Sequence, residues 1–170
     1  MRYLTALAGL MFLLLGGGFA SAEQVVISID KSTQSMSVTV DGLERYVWPV
    51  STASAGYTTP SGTFTPFRME LDHFSEEWDD APMPNSIVFT PQGHAIHGSE
   101  HVGSLGRPVS HGCVRLAPGN AATLYSLVEE AGMANTTVII GGGVATSVSR
   151  RHGRRWMNSP DWTSDDSDGY

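Results

Sequence analysis

The chain contains a single cysteine, Cys113, among its 170 residues. An internal disulfide is therefore excluded, and with it a small scaffold held together by staples. Charge is scarce. Asp, Glu, Lys and Arg make up 16% of the residues, and 17 acidic side chains outnumber 10 basic ones. That balance argues against nucleic acid as a partner, because such binding draws its affinity from cationic contacts with phosphates. Beyond the N-terminus no segment is apolar enough to cross a membrane. Internal repeats are absent as well.

The one long apolar run is Leu4 to Leu15. It follows Arg2, is broken by Gly16-Gly17-Gly18, and is followed by the small residues Ala20-Ser21-Ala22. This is the layout of an export signal over residues 1–22, with cleavage expected after Ala22. About 12 apolar residues fall short of the roughly 20 needed to span a bilayer. An exported protein follows, in a periplasm or a cell wall, with no transmembrane segment after cleavage. Removing 22 of 170 residues leaves 148, enough for one domain with a real core. Loss of Arg2 takes the formal charge from −7 to about −8.

Few charges and many Gly, Ser and Thr point to a mainly β domain, over residues 23–142. Gln24 to Asp30 and Ser35 to Val40 alternate apolar with polar, as half-buried strands do. Asp41-Gly42 is a tight-turn signal between the second run and a third, Leu43 to Ser51. Residues 52–66 read as loops around a short strand. Residues 70–86 crowd acidic side chains with His73, Phe74, Trp78 and two prolines, and read as an irregular loop that can act as a flap over a cleft. Ser86 to Thr90 and His94 to Gly98 read as two more strands. One main α-helix opens at Pro118-Gly119-Asn120. Its apolar stripe is Ala121, Leu124, Leu127, Val128 and Ala131, and Gly132 stops it. Thr137 to Ile140 reads as a last, fully buried strand. The arginine- and aspartate-rich tail, 143–170, has little to bury and reads as disordered.

An exported chain gains nothing from one oxidisable thiol unless the thiol has a use. A lone cysteine is commonly just a small buried hydrophobe. Here it lies in Ser110-His111-Gly112-Cys113-Val114-Arg115, with His97 upstream. A thiol becomes a nucleophile when an imidazole takes its proton. Both His97 and His111 are candidate bases, and spacing does not decide between them. The amides of Gly112 and Cys113 are candidates to meet the oxygen that turns negative when sulfur attacks a carbonyl. Arg115, two residues on, shares a face with Cys113 in an extended segment and suits a substrate carboxylate. A zinc site is disfavoured, since His94 and His97 lie on opposite faces of a strand and no second cysteine completes a ligand set. His73, His94, His101 and His152 read as surface or loop residues.

The segment Ile96-His97-Gly98, followed twelve residues later by Ser110-His111-Gly112-Cys113-Val114-Arg115-Leu116, resembles the signature of the L,D-transpeptidase catalytic domain (YkuD) family. Thr59-Pro60-Ser61-Gly62-Thr63-Phe64 and Ala81-Pro82-Met83-Pro84 resemble two further stretches of that family. The resemblance implies a mixed, β-sandwich-like fold with one main helix. It implies an acyl transfer on peptidoglycan stem peptides, with a donor stem, an amine acceptor and no cofactor. Cys113 would be the nucleophile and His97 the base, oriented by the carbonyl of Gly98. His111 and Gly112 would support the developing oxyanion, Ser110 would fix the loop at the substrate, and Arg115 would bind substrate. Hydrolysis of stems or cross-links, as a carboxypeptidase or endopeptidase, needs the same residues with water as acceptor.

Overall fold

The computed structural model describes residues 23–75 and 80–142. The expected export signal and C-terminal tail lie outside those residues, as do 76–79 of the acidic stretch. Among the described residues nine strands form two sheets. The first sheet contains β1 (Val25–Asp30), β2 (Ser35–Val40), β3 (Leu43–Pro49), β4 (Gly62–Phe64) and β9 (Thr136–Gly141), in the order β3-β2-β1-β9-β4. The second contains β5 (Arg68–Ser75), β6 (Ala81–Val88), β7 (Ala95–Gly98) and β8 (Val114–Leu116), in that order. The helix α1 (Pro118–Ala131) follows β8 directly. It is the one α-helix among the described residues, so the mainly β expectation with a single main helix holds.

The alternating runs do what their period demands. Val25, Ile27 and Ile29 of β1 and Met36, Val38 and Val40 of β2 all point into the core. Asp41 and Gly42 both adopt positive φ, +50° and +79°, as the two central residues of a type I′ hairpin require. Strand β9 pairs in parallel with β1, Val25 opposite Thr136, which draws the end of the domain back to its start. The inner faces of both sheets and one stripe of α1 share a single core that includes Ile27, Met36, Ile87, Ile96, Leu116 and Leu124. The helix packs on β6, β7 and β1 and ends at Gly132, whose N–H caps Val128 O at 2.9 Å.

Two expectations need correction. The described residues 70–75 and 81–86 are not an irregular loop. They belong to β5 and β6, which pair antiparallel from Arg68–Val88 to Ser75–Ala81. The strand period is hidden because β5 is an edge strand whose polar residues sit at both parities, as edge strands often do to avoid further pairing. Pro82 and Pro84 are tolerated because β6 pairs with β7 only at Ile87 and Val88, so its other edge is unpaired at the prolines. The last strand is not fully buried either: Val138 and Ile140 are covered, while Ile139 is 40% exposed on the outer face.

A short crossing joins the sheets. After β3 the chain pairs Ser51 with Arg115 and Ala53 with Ser110. The segment around Cys113 is thereby locked between β7 on one side and residues 51–54 on the other.

Candidate active site

Strand β7 carries His97 and strand β8 carries Arg115, and the two residues are parallel register partners. Cys113 precedes β8 by one residue and lies two before Arg115. That spacing sets it diagonally from His97 on the neighbouring strand. Cys113 and His97 line the same cleft, of about 570 Å³. Cys113 is half-buried and packs against the cluster of Met83, Val88 and Ala95, and its sulfur donates weakly to Gly93 O at 3.9 Å.

His97 is 5% exposed. Its Nδ1 lies 2.8 Å from Gly98 O, and a carbonyl can only accept, so Nδ1 carries the hydrogen and Nε2 holds the open lone pair. Burial lowers its pKa from 6.5 to about 4; the bond to Gly98 opposes that shift, while the nearby charges of Arg115 and His73 add to it. The ring is therefore neutral at pH 7, the form that can take a proton.

The loop holding Cys113 is tied down by hydroxyl groups. Ser110 Oγ donates to Cys113 O at 2.6 Å and accepts from Gly112 N–H at 3.2 Å. Ser110 N–H donates to Thr52 O at 2.9 Å, and Ser110 O accepts from Ser54 N–H at 2.8 Å. Ser110 is fully buried at the wall of the cleft, and its hydroxyl ties the loop together. Thr59 Oγ1 donates to Gly112 O at 2.7 Å and accepts from Ala53 N–H at 3.0 Å. Gly112 adopts φ +140°, a conformation that side-chain-bearing residues rarely take.

Three histidines expected at the surface or in loops line the cleft. His94 Nδ1 lies 2.8 Å from Thr90 Oγ1, and its Nε2 lies 3.2 Å from Thr58 O. Its ring covers the backbone of Gly112 and links the β6–β7 turn to the 54–59 loop. The signal was a threonine and a histidine four apart around Pro91-Gln92-Gly93, which carries meaning only once that turn is known to be tight. His73 also lines the cleft, with Nδ1 2.5 Å from Glu70 Oε2. His101 is exposed and lines the cleft. His111 is exposed, with its ring edge-on to Tyr57 at 4.6 Å between centroids; no motif or pattern singles out Tyr57 in the sequence. Arg115 is half-buried, and its backbone N–H and O are bound to Ser51. Among the described residues no group of three or more His, Cys, Asp or Glu is placed to hold a metal, and no helix is long and apolar enough to cross a membrane.

The model of the L,D-transpeptidase catalytic domain family matches residues 24–140. The chain belongs to that family. Solved structures agree on the fold. An L,D-transpeptidase from Mycobacterium smegmatis superposes with a TM-score of 0.63 at 27% identity, over 70% of this chain and 59% of that one. An L,D-transpeptidase from Stackebrandtia nassauensis gives 0.60 at 26% identity, over 75% and 59%. An L,D-transpeptidase from Mycobacterium tuberculosis gives 0.63 at 24% identity, over 70% and 58%. The chain thus spans somewhat under two thirds of these relatives. No curated protein sequence matches the chain significantly.

Proposed function

We propose that this family member is an exported peptidoglycan L,D-transpeptidase working through a thioester on Cys113. The observation that carries the reading is a neutral His97, aimed by Gly98 O, lining one cleft with the only thiol in the chain. The family points to a tetrapeptide stem as donor, attacked at the carbonyl of the L-centre of its diamino acid. Localisation to a periplasm rests on the export signal of residues 1–22.

His97 Nε2 takes the thiol proton as sulfur attacks the carbonyl carbon. The carbonyl oxygen becomes an oxyanion. Backbone N–H groups at Gly112 and Cys113 stabilise it, with His111 at the rim. The Gly112 amide must give up its long bond to Ser110 Oγ to take part. The C–N bond then breaks, and the leaving D-alanine amine takes the proton held by His97. The thioester remains. An amine from a second stem passes a proton to His97 and attacks the thioester, forming an amide and expelling the sulfur, which recovers the proton. Arg115 holds a substrate carboxylate.

Incubation of the protein with a tetrapeptide stem, followed by mass spectrometry of the products, tests the reading. Cross-linked dimers with released D-alanine are expected. Shortened stems alone would instead make the protein an L,D-carboxypeptidase with the same site.

A further inference from the structure

Arg68 and His73 reach the cleft of Cys113 from β5, a strand the acyl transfer above does not use. One carboxylate holds both. Glu70 Oε1 lies 3.2 Å from Arg68 Nε, and Glu70 Oε2 lies 2.5 Å from His73 Nδ1. Arg115 enters from the opposite edge of the same sheet. The chain has a net charge of −7, yet the cleft is lined by two arginines and, among the described residues, by one carboxylate, Glu100. Both Arg115 and His73 act electrostatically on His97, so these two side chains lie near the base. Charges on an edge strand also deter further pairing, which accounts for Asp72. It does not account for an arginine and a histidine, both held by one glutamate, lining the catalytic cleft.

We infer that Arg68, set by Glu70 together with His73, forms with Arg115 a carboxylate-binding subsite in the cleft of Cys113. Glu70 engages the Nε edge of Arg68, and a guanidinium has four further N–H donors on its two terminal nitrogens. Those donors match the two oxygens of a carboxylate. The inference rests on the reading of stem peptides as substrates and adds the β5 residues to it. A stem offers two candidate carboxylates near the scissile amide: that of the leaving D-amino acid, and one on the side chain of the diamino acid.

Calorimetry on the full-length Cys113→Ala protein separates them. Three tetrapeptide stems are compared: the parent, a C-terminal carboxamide, and a stem amidated on the diamino acid side chain. The parent should bind about fivefold more tightly than one of the amidated stems, a modest factor because Arg68 is half exposed. The stem that loses affinity identifies the carboxylate. Arg68→Gln should erase the preference without weakening the amidated stem, and Arg68→Lys should restore part of it. A preference that survives in Arg68→Gln, equal affinity for all three stems, or no binding of any stem overturns the subsite. Turnover by the unmodified protein is scored separately. An Arg68-dependent preference without turnover would sink the acyl-transfer reading and leave the subsite standing.

Discussion

The imidazole of His94 rests on the backbone of Gly112, one residue before the proposed nucleophile. A Cβ added at Gly112 would sit 3.1 Å from His94 Cδ2 and 3.2 Å from His94 Nε2, at a φ of +140°. The loop around Cys113 is thus shaped by a side chain from another turn of the structure.

Gly112→Ala should therefore destabilise the protein by about 1–3 kcal/mol, from backbone strain together with the contact. Adding His94→Ala should return the contact part and leave the φ cost. In urea unfolding, the double variant should be less destabilised than the sum of the singles by roughly 0.5–1 kcal/mol. Strict additivity would show that the ring and the glycine are not coupled.

Ser110→Ala strips the hydroxyl from Cys113 O and Gly112 N–H. Two buried groups lose their partner, at a cost of about 1–3 kcal/mol. Because Ser110 is fully buried, kcat should fall while KM for the stem changes little. A rise in KM at constant kcat would give the hydroxyl a direct role in substrate binding.

The pH response follows from His97. Its folded pKa, about 4, lies below the unfolded value near 6.5, so the unfolded chain binds the proton more readily. The stability linked to this ring is complete above about pH 6.5 and is lost as pH falls through about 4. Between pH 7.5 and 4.5 the loss should be roughly 2–3 kcal/mol by this group. The difference in unfolding free energy between the unaltered protein and His97→Gln, measured at both pH values, isolates it. The same shift moves the acid limb of the acylation rate toward pH 4. An acid limb near 6.5 would mean that a less buried histidine is the base.

Much of the fold was legible because β1, β2 and α1 bury one face each, and that leaves a period of two or of 3.6 in the sequence. Cys113, His97 and Arg115 were legible because a thiol with nearby histidines is chemically unusual. The hairpin of β5 and β6 was not. Its pairing satisfies the backbone, whose hydrogen bonds are blind to side chains, and Pro82 and Pro84 sit where only one edge is paired. His94 and His73 were missed for a different reason. Their partners, Thr58 and the cleft, are distant in sequence or exist only after folding, whereas Ser110 and Thr59 act through hydroxyls that resemble any loop hydroxyl until their acceptors are known.

The proposed mechanism requires a covalent acyl group on one sulfur. Intact-protein mass spectrometry after brief mixing with a tetrapeptide stem should show an adduct of the stem mass less D-alanine, mapped to Cys113. The adduct should vanish in Cys113→Ala and form far more slowly in His97→Gln. An unmodified protein that turns over stems without the adduct, or an adduct that persists in Cys113→Ala, would contradict the account.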